Sequence, residues 1–464
     1  MSTRRKVNPQ RSLLEGMVNL DVRTLWEPWM LEADHLLEDE EMIEAVYQAQ
    51  GERHEHSVRL GRGQTAAEIV LRLLVLKHVR NWSFDTLERE VALNLGYREF
   101  TRIGLEKVPD AKALARIAQA LGGEVIDRIH ARLVGIAQER GVVKGRKMRV
   151  DTTVVETNIH YPTDSSLLGD GARVLTRTMK KIESKVGKLK RGVRARTRSV
   201  NKRVRAIANS SRYQGEAGVE KRKKEYRGLL RLTRQILNDS KRVLTEIASR
   251  RKPAVRALGE ELATMAEHVR QVVRQTKARV FDGITQSPEK IVSLFEPHSE
   301  IIRKGKASKP TEFGKLMQLA EAENQIITHY QVFDERPSDR ALLTEAVEKQ
   351  QRRLGGTPQL VVADAGYYAQ AHEQALRQMG VKWVAVPNRN TRSAERKALE
   401  KRRWFKKAQA WRTGCEGRIS VLKRRHGLRR SLYRGVDGMK RWVGLGVLAD
   451  NLINIGKALS AARA

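Results

Sequence analysis

Residues 147–168 read KMRVDTTVVETNIHYPTDSSLL, and this stretch decides the fold. The run from Val150 to Val155 is rich in β-branched residues, which predicts a short buried strand. Asp151 is the second residue of that run, although Asp is depleted in strands and is rarely buried unless it is paired or binds a metal. A carboxylate in this position therefore indicates a functional role.

A second Asp follows a strand-like run far along the chain. Residues 360–367 read LVVADAGY, so four apolar residues end at Asp364, and Gly366 allows another backbone to approach closely. One such Asp would be weak support for a site. Two of them at strands of one domain predict a cation that they share.

The composition limits the class of protein. The 464 residues include 90 Lys or Arg and 54 Asp or Glu, so the formal net charge is +36 and the pI is about 10.6. This charge indicates a polyanionic partner, and nucleic acid is the simplest one. The hydrophobic fraction of 40% excludes a wholly disordered basic protein.

Further features of the sequence predict where the protein acts. No run of 18 apolar residues is present, which predicts no membrane span. Residues 1–11 are basic and polar without the apolar core of a secretion signal. The single Cys415 excludes an internal disulfide. We therefore expect a cytoplasmic, nucleoid-associated protein.

Residues 1–140 have the periodicity of helices. The predicted helices cover residues 65–79, 84–94, 111–121 and 125–138, and Ser83 is an expected N-cap. Because about three residues join the first two, a DNA-reading helix-turn-helix is one interpretation. A small helical bundle used for dimer contacts or domain packing is the other.

Residues 171–297 favour long, charged helices, which predicts a helical hairpin or short coiled coil. Between Arg173 and Arg212 there are fifteen Lys or Arg residues and a single acid, Glu183. Charge of one sign at this density repels itself unless phosphate neutralises it, so we expect contact with a nucleic-acid backbone. The DNA-contacting candidates are Lys180, Lys181, Lys188, Lys190, Arg191, Arg194, Arg196 and Arg198.

The remaining elements predict an α/β domain interrupted by this basic helical insertion. Residues 312–333 form an expected hairpin about Ala322-Glu323-Asn324. There follow a helix over 341–354 capped by Ser338-Asp339, the Asp364 strand, a helix over 369–378, a strand over 381–386, a basic linker over 388–407 and another helix. Three meandering strands followed by helical crossovers are the ribonuclease H-like arrangement.

The last helix of that order, residues 411–424, reads WRTGCEGRISVLKR. Arg412, Glu416 and Lys423 are spaced by four and seven residues, so the three share one helix face. A carboxylate beside two cations suits a metal next to phosphate. The alternative is an ordinary surface ion pair worth about 0.3 to 0.5 kcal/mol.

Several stretches resemble the DDE transposases of bacterial insertion sequences, and the ISNCY-like group most of all. They are SFDTLEREV with YREFTRI near the N-terminus, VDTTVVETNIHYPTDSSLL, VVADAGYY and the Glu416 helix. The resemblance implies that Asp151, Asp364 and Glu416 are the catalytic triad. Arg412 and Lys423 match the basic positions of the family's C-terminal signature, whereas Gln409 stands where that signature has Tyr.

The resemblance also implies the function. A DDE enzyme uses two Mg²⁺ or Mn²⁺ ions held by the triad, cleaves DNA at the element's terminal inverted repeats and transfers the strand into target DNA, and we expect a homodimer on double-stranded DNA. Another ribonuclease H-like nuclease or resolvase, or a non-catalytic DNA-binding relative, are the alternatives. The predicted domains are a helical N-terminal DNA-binding or dimerisation domain (1–140), the catalytic domain (141–170 and 298–430), the insertion (171–297) and a C-terminal packing helix (431–464).

Overall fold

The structure is a computed structural model that describes residues 22–52, 65–187, 189–210, 212–213, 215–286, 289–303, 310–337 and 342–463. Residues 1–11, the predicted contact Lys188 and the predicted cap Ser338-Asp339 lie outside these ranges. The chain divides into two compact units. Unit 1 comprises residues 1–158 and 314–464, and unit 2 comprises residues 159–313. Within the described ranges, no helix has the length and apolar character that crossing a membrane requires.

Four of the described helices at the start of unit 1 agree with the predicted ones to within about two residues, and three more, over Pro28–Leu36, Glu40–Gly51 and Leu95–Phe100, were not predicted individually. Ser83 caps the helix Phe84–Leu93 by accepting a hydrogen bond from the Thr86 backbone N–H, as predicted, and Asp110 caps the helix Ala111–Ala120 in the same way. The helices are α1 (Pro28–Leu36), α2 (Glu40–Gly51), α3 (Ala67–Arg80), α4 (Phe84–Leu93), α5 (Leu95–Phe100), α6 (Ala111–Ala120) and α7 (Gly123–Glu139).

Helix α3 is buried along most of its length, from Ala67 to His78. Apolar residues of the N-terminal helices form one core with Ala322, Leu354 and Leu448 from the second half of the chain. The described part of the 1–140 region thus shares its core with the region predicted to be catalytic. Base reading by α3 and α4 stays a prediction.

A mixed sheet organises the rest of unit 1 around its central strand, β1. This strand pairs antiparallel with β3, from Arg149 opposite Glu321 to Glu156 opposite Gly314, and parallel with β5. Strand β3 pairs antiparallel with β4, and β5 pairs parallel with β6, which is the predicted meander followed by crossovers. The strands are β1 (Lys147–Thr157), β2 (Glu300–Arg303), which belongs to unit 2, β3 (Thr311–Glu321), β4 (Ile327–Val332), β5 (Leu360–Val362), β6 (Trp383–Ala385) and β7 (Arg430–Ser431).

One prediction about the second half of the chain is wrong. The expected basic linker over 388–407 is largely helical, because it contains strong helix formers and an Arg396–Glu400 pair one turn apart at 3.0 Å. The helices of unit 1 in the second half of the chain follow the helices of unit 2, which are described below. They are α12 (Leu342–Leu354), α13 (Gln370–Gln378), α14 (Ala394–Lys401), α15 (Arg403–Arg425) and α16 (Gly435–Arg463).

Unit 2 contains the predicted basic insertion, but its helices begin earlier, at the capping box of Thr163 and Ser166. In the described part of unit 2, four helices pack around one apolar core rather than forming only a hairpin. Local periodicity marks an apolar stripe on each helix but does not say how many helices share a core. The four are α8 (Asp164–Val186), α9 (Thr197–Ser210), α10 (Gly215–Ile247) and α11 (Pro253–Phe281).

Candidate active site

The register of the sheet brings the two strand aspartates to the same level. Arg149 on β1 is opposite Val362 on β5, and Asp151 and Asp364 each lie two residues beyond that pair. Neighbouring strands are about 4.8 Å apart, so the two carboxyl groups leave adjacent strands at one edge of the sheet. Asp364 also caps a 3-10 turn, where its Oδ1 accepts a hydrogen bond from the Gly366 N–H at 2.9 Å.

Helix α15 carries Arg412 and Glu416 to this edge. The Arg412 guanidinium lies 3.7 Å from Asp151 (Nη1 to Oδ2) and 3.3 Å from Glu416 (Nη2 to Oε1). The Asp151 side chain is 14% exposed, whereas that of Glu416 is 65% exposed. The pair predicted on one helix face is therefore present, and its arginine also reaches the first aspartate.

Lys423 lies in the last turn of α15 and is partly buried. Seven residues of helix separate it from Glu416, which is about 10 Å along the axis. Its predicted role at DNA phosphate stays a prediction.

A buried arginine positions α15 on the sheet. Arg149 shares a face of β1 with Asp151, and its Nε donates to Glu321 on β3 at 3.0 Å. Its Nη1 donates to the Trp411 carbonyl, and its guanidinium lies 4.8 Å from the Trp411 ring centroid. Gly414 leaves the space that this guanidinium occupies, since a Cβ there would lie 2.4 Å from Arg149 Nη1.

Two further contacts fix the helix. The Gln409 amide donates to the carbonyls of Ala363 and Ala385, which follow β5 and end β6. Towards the other end, Arg418 Nη1 donates to the buried Asp450 carboxylate of α16 at 2.8 Å. Gln409, which departs from the family signature, is therefore engaged in holding α15 against the parallel strands.

The electrostatics of the site arise from crowded carboxylates. Burial is the main reason that the pKa of Asp151 is raised to about 6, and the nearby Asp364 and Glu416 carboxylates contribute to the same rise. The Thr152 N–H, which donates to Asp151 Oδ1 at 2.7 Å, and the Arg412 guanidinium act in the opposite direction. A cation in this position would offset both the cost of burying the charged carboxylate and the repulsion between the carboxylates.

The three acids do not close around a single point. Within the described ranges, no three Asp, Glu, His or Cys side chains converge enough to hold a metal ion together. The Arg412 guanidinium occupies the space beside Asp151 and Glu416 instead.

The predicted DNA contacts of the insertion lie in unit 2. Arg196 has an internal partner there, because its guanidinium donates to Asp239 on α10, and its side chain is only 16% exposed. The exposed members of the predicted set are Lys180, Lys181, Lys190, Arg191, Arg194 and Arg198.

Sequence reasoning missed two residues that surround the aspartates. Arg149 could have been found from the two-residue period of β1, which puts it on the face of Asp151. Tyr367 is buried, and burial raises the pKa of its hydroxyl, with the nearby Asp151 and Asp364 carboxylates adding to the rise. No local pattern distinguishes this tyrosine from a core residue.

Comparison with known families identifies both halves of unit 1. The model of a transposase DDE domain matches residues 290–452, which include Asp364 and Glu416. The chain belongs to the DDE transposases. A second family model, a transposase domain (DUF772), matches residues 30–120 of this transposase, where α1 to α6 lie.

The two matches together cover more than half of the transposase, but Asp151 and the helices of unit 2 up to residue 289 fall between them. The family implies a ribonuclease H-like fold, DNA binding and, in general, nuclease and strand-transfer activity. Membership in the ISNCY-like group stays a prediction. Neither a curated protein nor a solved structure gives a significant match.

Proposed function

We propose that this transposase cleaves DNA at the ends of its insertion sequence and joins the freed strand to target DNA, with Asp151, Asp364 and Glu416 as the catalytic acids. The observation that supports this most directly is the registered pair of aspartates with Glu416 brought to them by α15. The family match does not include Asp151, so its assignment rests on this geometry and on the sequence resemblance.

The donor set fits hard divalent cations. Carboxylate oxygens are the ligands that Mg²⁺ and Mn²⁺ prefer, and burial and repulsion already disfavour the charged form of Asp151. Asp151 would be shared between two ions, with Asp364 completing one and Glu416 the other. Such ions, when bound, activate the attacking oxygen and stabilise the leaving 3′ oxygen.

The residues of the chain have separate tasks in this scheme. Arg149, Gln409 and Arg418 hold α15 so that Glu416 stays at the edge of the sheet where Asp151 and Asp364 emerge. Arg412 pairs with two of the acids, and its proposed task is to bind a phosphate oxygen next to the scissile bond.

The chemistry proceeds in two balanced displacements at phosphorus. In the first, a water oxygen forms a bond to the scissile phosphorus, and the bond from phosphorus to the 3′ oxygen breaks to give a 3′ hydroxyl and a 5′ phosphate. In the second, that hydroxyl attacks a target phosphodiester, whose own 3′ oxygen leaves. No protein nucleophile is needed, and burial raises the pKa of the Cys415 thiol, which disfavours a thiolate.

Double-stranded DNA is the proposed partner, and the exposed cations of unit 2 are its proposed contacts. Acting on two element ends favours a homodimer on DNA. A resolvase would use the same acids but would prefer branched DNA and perform no strand transfer, and a non-catalytic relative would bind without cleavage.

The test is cleavage of a labelled duplex that carries the flanking ends of the encoding element, with Mg²⁺, Mn²⁺ or EDTA. We expect a metal-dependent 3′ hydroxyl at the element boundary, lost in Asp364→Asn and kept in Glu348→Gln, which removes an exposed acid of α12. Transfer of the cut end to a plasmid separates a transposase from a resolvase. DNA binding without cleavage under every condition would refute the catalytic assignment.

A further inference from the structure

Helix α9 of unit 2 has two faces of opposite character. Val200 and Ile207 are buried in the four-helix core, with Val204 packed beside them. The opposite face is exposed and carries Arg198, Asn201, Lys202, Arg205 and Asn209, which line a shallow depression of about 590 Å³ with Ala206. The helix contains no acidic residue.

The inner and outer cations of this segment differ in their partners. Arg203, on the inner side of α9, donates to Glu225 of α10 at 2.7 Å. Arg196, just before α9, pairs with Asp239, which also lies on α10. Within the described part of the chain, the outer cations Arg198, Lys202 and Arg205 form no ion pair with an acid. Folding therefore neutralises the inner cations and leaves the outer ones for an external anion.

Two side-chain amides lie among these cations. Asn201 and Asn209 are exposed on the outer face, and Asn209 lies within about 40° of Arg198 and Arg205 around the helix axis. Side-chain amides pair with the edge of adenine and guanidinium groups with that of guanine, so this exposed face combines the two side-chain types used most in direct readout with a lysine suited to phosphate.

We propose that the outer face of α9 enters the major groove of double-stranded DNA and reads its sequence there. The proposal rests on the proposed function, because it identifies where the transposase would recognise its own DNA ends. Lys202 contacts phosphate at the groove wall, while Arg198, Arg205, Asn201 and Asn209 face the base edges.

The dimensions favour a duplex in the B form. Fourteen helical residues span about 21 Å, and the major groove, about 12 Å wide, admits one α-helix. The major groove of an RNA helix is too deep and narrow for such contacts. Helix α9 also has no aromatic residue on which single-stranded bases could stack.

The experiment measures binding of the full chain in EDTA, so that its outcome is independent of cleavage. The probes are a duplex with the element end, a scrambled duplex of the same length and composition, and the corresponding single strands. One variant combines Arg198→Gln, Lys202→Gln and Arg205→Gln, and another combines Asn201→Ala and Asn209→Ala. The matched control combines Arg250→Gln, Arg251→Gln and Lys252→Gln, which removes three exposed cations from the loop between α10 and α11.

We expect the asparagine variant to reduce the preference for the end duplex by about tenfold while its salt dependence stays unchanged. The α9 charge variant should weaken binding to both duplexes, reduce the preference for the end duplex because two base-contacting arginines are lost, and lower the slope of log affinity against log salt by about 1 through the loss of Lys202, and the control should do none of these. An unchanged preference in the asparagine variant, a charge variant that matches the control, or preferred binding of single strands would overturn the proposal. Because binding is measured without metal, loss of cleavage alone would count against the catalytic assignment and not against α9.

Discussion

Arg412 places its Nη1 3.7 Å from Oδ2 of Asp151. Its Nη2 lies 3.3 Å from Glu416, and its buried Nε has no hydrogen-bond partner within the described residues. The guanidinium thus supplies positive charge where two carboxylates would otherwise face each other alone. A divalent cation that binds these acids must compete with it.

Arg412→Gln should therefore tighten binding of Mn²⁺ to the DNA-free protein. We expect a gain of about two- to fivefold, since partly exposed ion pairs contribute up to about 1 kcal/mol. Titration calorimetry measures it. The control is Arg377→Gln, which removes an exposed arginine paired with Glu373 elsewhere in unit 1. Unchanged or weaker Mn²⁺ binding would show that Arg412 supports the carboxylates rather than competing for them.

Two glycines on α15 provide a matched pair for the packing of the catalytic helix. A Cβ on Gly414 would lie 2.4 Å from Arg149 Nη1, and the buried ion pair with Glu321 prevents that guanidinium from moving freely. A Cβ on Gly417 meets nothing within 4 Å.

Gly414→Ala should lower the free energy of unfolding by about 2 kcal/mol or more, because a buried pair is disturbed. Gly417→Ala should raise it by up to about 1 kcal/mol through helix propensity. Urea denaturation followed by circular dichroism measures both. Equal effects of the two substitutions would contradict the role given to Arg149.

Gln409 replaces the tyrosine of the family signature and spans two parallel strands. Gln409→Leu leaves the Ala363 and Ala385 carbonyls without their donor, and we expect a loss of about 1 to 3 kcal/mol in the free energy of unfolding. Gln374→Leu, an exposed glutamine of α13, is the control. If Gln409→Tyr retained full stability, a tyrosine would hold α15 equally well. The hydrogen bonds of Gln409 would then not explain why glutamine replaces the tyrosine of the signature.

Lys77 carries a buried amino group among aromatic rings of unit 1. Its Nζ lies 4.6 Å from the ring centroid of Trp442, 4.9 Å from that of Phe84 and 5.3 Å from that of Tyr433. Burial lowers the pKa of Lys77 to about 7. The folded state therefore favours the neutral amine, and each unit of pKa shift corresponds to about 1.4 kcal/mol.

This shift has a definite sign. The unfolded chain takes up the Lys77 proton as pH falls below about 10.5, whereas the folded chain does so only near pH 7. The free energy of unfolding therefore decreases as the pH is lowered from about 10.5 to about 7. Lys77→Met should raise the free energy of unfolding at pH 7 by about 2 kcal/mol or more and by much less at pH 10. Lys112→Met, on the exposed side of α6, should do neither. A gain that is the same at both pH values would contradict the lowered pKa.

The sequence by itself predicted four of the N-terminal helices and the order of the main strands and crossover helices of unit 1. Period-two and period-3.6 patterns are local, and the end signals at Ser83 and around Ala322 to Asn324 act within a few residues. The same local reasoning singled out Asp151 and Asp364, because a charged residue in an apolar strand conflicts with its surroundings. It misjudged residues 388–407, where high charge was taken for a linker although the residues are good helix formers.

Only the tertiary structure decided which distant residues meet. The partners of Arg149 and Gln409 lie more than 20 residues away, the N-terminal helices share a core with Leu448, and unit 2 closes four helices around one interior. Such contacts depend on packing between elements, whereas periodicity specifies only which face of each element is apolar. The same reason explains why the cations of the basic insertion differ in their partners. The sequence does not distinguish Arg196 from Arg198, and only the packing of the helices brings Asp239 to Arg196.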